Sequence, residues 1–165
     1  MKIYGVTGWK NAGKTTLMAG LVAETTRRGF SVSTLKHAHH AFDVDQPGKD
    51  SHRHREAGAT EVLVASGARW ALMHELRAEA EPPLGDLLAR LSPVDLVLVE
   101  GYKREPHPKI EVHRAATGAT LIADEEPSIR AIATNDPIET SRPLLPLDDH
   151  AAIVDFILRE TGLAR

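Results

Sequence analysis

Eight residues near the start of the chain, Gly8-Trp9-Lys10-Asn11-Ala12-Gly13-Lys14-Thr15, fit the pattern G-x-x-x-x-G-K-[ST]. An apolar stretch at residues 3–7 precedes them and a helical pattern over 14–28 follows. In that context the spacing is a phosphate cradle. Glycine lets the backbone fold tightly, so successive N–H groups point into one concavity. The helix that follows adds the positive end of its dipole. Lys14 is expected to reach the outer phosphates, and the Thr15 hydroxyl to ligate Mg²⁺, a cation that prefers oxygen donors. Thr16 is placed at the α-phosphate. A second part is a carboxylate ending a buried strand near the metal. The run "DLVLVEG" supplies Glu100, where Asp is the usual residue. Its longer arm suits a metal-bound water or an attacking one.

Two further stretches belong to the same chemistry. Residues 129–134 read as a strand ending in Thr134-Asn135-Asp136-Pro137. An Asp there accepts from the guanine N1 and N2 groups, so guanine is expected over adenine; a plain Asn-Asp-Pro turn is the competing reading. Residues 36–55 hold five of the nine histidines. One reading is a nucleotide-sensing loop, with Lys36 and Asp50 near phosphate or Mg²⁺ and His37, His39 and His40 arranging the chain. Asp50 then joins Thr15 and Glu100 as a magnesium ligand, and joins Lys14 and Glu100 in catalysis. A second reading is a transition-metal site built from imidazoles, with His52 and His54 added. A third is a solvated loop or partner surface. The place of the stretch after the second strand, on the edge where ligand loops gather, favours the first. Lys103 and Arg104 read either as a second anion site, with His107 and His113 nearby, or as an exposed basic turn.

The elements that must position these residues alternate in type. Strands are expected over 3–7, 30–35, 61–65, 70–74, 94–99, 109–113 and 129–134, the third and fourth pairing across Ser66-Gly67-Ala68. Helices are expected over 14–28, with Leu17, Leu21 and Val22 on one face; 50–57, capped by Asp50 or Ser51; 84–91, entered through Pro82-Pro83; and 150–160, with Ile153, Phe156 and Ile157 inward. Trp70 is expected in the core or a dimer interface. Alternating strands and helices make a parallel sheet, and runs apolar at every position fit strands covered on both faces. The expected fold is α/β, a three-layer P-loop NTPase fold with a mostly parallel central sheet, in one domain over residues 1–165.

Composition narrows the partners. The chain has 165 residues, with 20 Lys and Arg against 23 Asp and Glu and a formal charge of −3. That balance argues against a broad nucleic-acid or membrane surface. There is no cysteine, hence no disulfide, thiolate zinc site or thiol catalysis. With no stretch of signal-peptide or membrane-spanning character, a cytoplasmic location is expected.

Taken together, "GWKNAGKTTL", "LKHAHHAFDVDQPGKDSHRHREAGA", "RWALMHE" and "LVLVEGYKREPHPKIEVHR" resemble the MobB family, GTP-binding adaptor proteins of molybdenum-cofactor biosynthesis. The second and fourth of these blocks are far more specific than the P-loop. The resemblance implies a P-loop GTPase-type fold, a homodimer, and GTP with Mg²⁺, hydrolysed slowly at most. It implies the molybdopterin guanylyltransferase as partner; a molybdopterin phosphate, or an anionic residue of the partner, is the candidate anion for Lys103 and Arg104. In one respect the chain departs from related dimeric ATPases: Trp9 stands where those often carry a second lysine, and Lys10 comes one position later. Two rival functions remain open at this level. One is a stand-alone P-loop transferase or small-molecule kinase, for which Arg53 and Arg55 are the candidate lid arginines. The other is a GTP-dependent metallochaperone storing metal on the histidine stretch.

Overall fold

The computed structural model describes residues 1–38 and 42–164. It divides into two compact units, residues 1–37 with 91–165, and residues 38–90.

The first unit is organised by strands β1 (Lys2–Thr7), β2 (Val32–Lys36), β5 (Leu96–Glu100), β6 (Lys109–Val112), β7 (Ile129–Ala133) and β8 (Leu144–Leu145). They form one sheet in the order β2-β5-β1-β6-β7-β8, and every neighbouring pair is parallel. All five residues of β5 are buried, as the unbroken apolar run predicts for a strand covered on both faces. Helices α1 (Lys14–Arg27) and α4 (His150–Thr161) pack together on the sheet. Leu17, Met18 and Leu21 of α1 meet Ile153, Val154 and Ile157 of α4 over Tyr4, Leu98 and Ile110. Burying a Leu or Ile side chain stabilises by roughly 1.5–3 kcal/mol, so this layer fixes the place of the α1 N-terminus. The Asp149 side chain caps α4 through the Ala152 N–H, and Gly162 closes it in the left-handed conformation.

The second unit holds α2 (Asp50–Glu56), the antiparallel hairpin of β3 (Glu61–Ala65) and β4 (Trp70–His74), and α3 (Leu84–Leu88). Arg55 is its electrostatic centre, reaching Asp43 at 2.8 Å, Asp45 at 2.5 Å and Glu75 at 2.9 Å. It is committed to these carboxylates and is no free lid arginine. Two expectations are corrected here. The residue at the start of α2 is Lys49, and Asp50 lies in the first turn without capping; a carboxylate is favoured there by the helix dipole alone. Helix α3 ends at Leu88 rather than at 91, with Ala89 as its C-terminal cap residue.

Candidate nucleotide site

The parallel sheet brings the C-terminal ends of β1, β5, β2, β6 and β7 to one edge, where ligand loops of open α/β sheets gather. Strand β1 ends at Thr7 and α1 begins at Lys14, so Gly8–Gly13 form the loop between them. Gly13 starts the helix at φ +105°, a left-handed conformation that favours glycine. Gly8 lies at φ +146°, and a Cβ there would sit 2.5 Å from the Val112 carbonyl oxygen. No side chain caps α1, which leaves its first-turn N–H groups directed at the loop. The Lys14 ammonium folds back over the loop, donating to the carbonyls of Gly8 at 3.0 Å and Trp9 at 2.8 Å. Burial holds Lys14 below the usual lysine range; Lys103 and Lys36 act in the same direction and Glu100 against it. Thr15 and Thr16 are exposed.

Glu100 lands beside this loop for a reason of register. It pairs with Val6 of β1 on one side and Lys36 of β2 on the other. Its carboxylate is buried and lies 3.4 Å from the Lys36 ammonium. The chain then turns through Gly101 and Tyr102, both at positive φ. The His37 N–H donates to the Glu100 carbonyl at 3.0 Å, and its ring lies 4.8 Å from that of Tyr102. Lys14, Lys36, His37, Glu100 and the loop residues are therefore one neighbourhood. Glu100 and Thr15 offer only oxygen, a donor set that fits Mg²⁺. Among the described residues no group of three or more His, Asp or Glu is arranged to hold a metal, and Mg²⁺ in such sites is completed by phosphate and water.

Other expected residues fall elsewhere. Asp50 is exposed and belongs to the second unit. His39 and His40 lie outside the described residues. His52 pairs with Glu56 on the same helix at 3.3 Å, and His54 is exposed. The Asn135 amide is used within the fold: Nδ2 donates to Asp148 at 2.5 Å and Oδ1 accepts from the Leu147 N–H at 2.9 Å. Asp136 accepts from the Ala115 N–H at 2.6 Å. Together with Thr134, Pro137 and residues 144–146 they line an open depression of about 530 Å³.

Three sets of contacts go beyond what the loop motif specifies. Trp9 is tied at both ends, its indole N–H donating to the Thr120 carbonyl at 2.8 Å and its ring lying under the Lys103 ammonium at 4.0 Å. Lys109 is fully buried in β6. Its ammonium donates to Ser128 Oγ at 2.6 Å, the Lys103 carbonyl at 3.4 Å and the Glu105 carbonyl, holding the loop that carries Lys103. Arg114, just past β6, donates through Nε to the Ala12 carbonyl at 3.2 Å. A residue two past a strand end has no spacing rule to single it out.

Comparison with known proteins identifies the family. The family model described as molybdopterin guanine dinucleotide synthesis protein B matches residues 3–135. A molybdopterin-guanine dinucleotide biosynthesis adapter protein of Haemophilus influenzae is 43% identical over 158 residues, 94% of this chain and 86% of that protein. Its Escherichia coli counterpart is 40% identical over 155 residues, 91% and 87% of the two chains. A crystal structure of a MobB homolog from Bacillus stearothermophilus superposes with a TM-score of 0.71 at 29% identity, covering 99% of this chain and all of that one. The Bacillus subtilis MobB structure, at 24% identity and a TM-score of 0.76 over 98% of each chain, shares the fold. By sequence and by fold, this chain belongs to the MobB family, molybdopterin guanine dinucleotide synthesis protein B.

Proposed function

We propose that this chain is a GTP-binding adapter for the step that joins a guanylyl group to molybdopterin, acting beside the guanylyltransferase. The observation that carries the reading is the Gly8–Thr15 loop leading into an uncapped helix. Phosphate oxygens would take the place of the Gly8 and Trp9 carbonyls at the Lys14 ammonium, while the α1 N–H groups donate to the same chain of phosphates. Thr15 and Glu100 would hold Mg²⁺, which neutralises charge on the phosphates. Glu100 is partly satisfied by Lys36, and a carboxylate so engaged activates water poorly, in keeping with slow hydrolysis. Lys36 and His37 sense the phosphates, and Asp136 reads guanine. Molybdopterin itself is presented by the partner enzyme or bound beside Lys103.

The protein works as a homodimer in the cytoplasm. Leu63, Leu72 and Trp70 stand on one face of the β3–β4 hairpin, with Leu63 paired to Leu72, and all three are exposed. An apolar patch on a hairpin suits a second copy of the same surface. A chain without cysteine has no need of an oxidising compartment, and no helix among the described residues is long and apolar enough to cross a membrane. Isothermal titration with Mg-GTP tests the reading: wild type binds and Lys14→Ala does not. Equal binding by the two removes the phosphate assignment.

A further inference from the structure

Arg114 occupies a place that the loop motif does not predict. Its Nε–H is anchored on the Ala12 carbonyl at 3.2 Å. A Cβ on Gly13 would lie 3.3 Å from Nε and 3.7 Å from one terminal nitrogen, so the guanidinium lies against the glycine that opens α1. That single anchor uses one of five donors. Among the described residues no carboxylate pairs with Arg114, whereas Arg27 and Arg130 each pair with one, Arg28 with two and Arg55 with three. The next residue is also fixed, since the Ala115 N–H donates to Asp136. The backbone that carries Arg114 is thus pinned between the phosphate loop and the end of β7, and the side chain is exposed toward solvent.

An arginine is always charged, and its planar fork matches phosphate oxygens. Placed beside a helix N-terminus and a lysine-bearing loop, a cation with no carboxylate paired to it raises the local positive potential. We propose that Arg114 is a phosphate-binding residue of the nucleotide site. Its Nε stays on the Ala12 carbonyl while its terminal N–H groups donate to the phosphate chain from the Gly13 side. This inference rests on the nucleotide reading above and adds a residue to it. The ligand class is a nucleoside polyphosphate, recognised here through its phosphates and not its base.

The test uses the full chain, with Mg-GTP and separately inorganic tripolyphosphate plus Mg²⁺, titrated calorimetrically at low and moderate salt. Arg114→Ala should weaken both ligands by about tenfold or more, the size of a lost charge-assisted hydrogen bond. Arg114→Lys should recover part of that. The affinity of Arg114→Ala should also fall less steeply with salt, since one screened attraction is gone. Wild-type affinities in Arg114→Ala overturn the inference. So does a loss on GTP alone, which would put the guanidinium at the base, and so does a loss with an unchanged salt slope, which would make the Ala12 anchor purely structural. If wild type binds neither ligand, the nucleotide reading itself fails. Thermal melting of the ligand-free variants checks that the exposed substitution leaves the fold intact.

Discussion

His107 sets a sharp limit on the protein's tolerance of acid. Both of its ring nitrogens are sealed from solvent without a hydrogen-bond partner. The ring lies against β1, where a Cβ on Gly5 would meet Nε2 at 2.6 Å. Burial, reinforced by Lys109 and opposed by Glu126, pushes its pKa from 6.5 down to about 4. In the unfolded chain the imidazole takes a proton near its ordinary value; in the folded chain it resists until about pH 4. Between those values the unfolded state binds more protons, so acid favours unfolding. The stability is complete above pH 6.5 and is lost as pH falls toward about 4. At about 1.4 kcal/mol per pH unit the loss is roughly 3 kcal/mol. Glu111 acts with the opposite sign, because burial raises its carboxyl despite the N–H donors of Ile122 and Ala123. A difference measurement removes that background. Urea unfolding of wild type and His107→Leu from pH 7.5 to 4 should show the wild type losing roughly 3 kcal/mol more than the variant. Parallel curves for the two, or a His107 ring resonance titrating near pH 6.5, would refute the reasoning.

Other outcomes follow from the same contacts. Gly8→Ala, forced against the Val112 carbonyl at positive φ, should lower stability by about 2 kcal/mol and weaken Mg-GTP binding; a variant as stable as wild type in urea contradicts the loop geometry. The chain has two tryptophans, so Trp70→Phe leaves Trp9 as the only indole emitter. Its fluorescence should respond to Mg-GTP, and Lys103→Met should change the ligand-free emission by removing the ammonium 4.0 Å from the ring; emission indifferent to both changes argues against Trp9 lying at the site. Trp70→Glu, at an exposed apolar position on the hairpin, should yield monomers by light scattering while the secondary structure persists. An unchanged mass would move the dimer interface elsewhere.

Much of this architecture was legible in the residues. The loop spacing marked the start of α1 at Lys14, and "DLVLVEG" marked the buried strand that ends on Glu100, because both signals are local. The hairpin at residues 61–74 was equally plain from its turn. Strand order was not legible, since crossover helices allow several neighbours for each strand; only the fold shows β5 between β1 and β2, which is what sets Glu100 beside Lys36. Strand β8 is two residues long, too short for a period to appear. Asn135 was placed at the nucleotide with Asp136 because both follow a strand, yet its amide ties β7 to the turn before α4. Arg114 and Lys109 escaped notice because their roles depend on partners distant in sequence: the loop at Ala12 for one, Ser128 for the other. Asp50 shows the converse limit. Its place after a Pro-Gly turn was readable, and its position in the first turn of α2 agrees with that, but a metal-binding role is not a property of local sequence.

A reconstituted guanylylation tests the adapter function most directly. Molybdopterin, the guanylyltransferase, GTP and Mg²⁺ are combined with no addition, with this chain, or with its Lys14→Ala variant, and the dinucleotide product is quantified over time. The wild-type chain should raise product formation, and Lys14→Ala should not. Product formation that is the same in all three reactions would contradict that function.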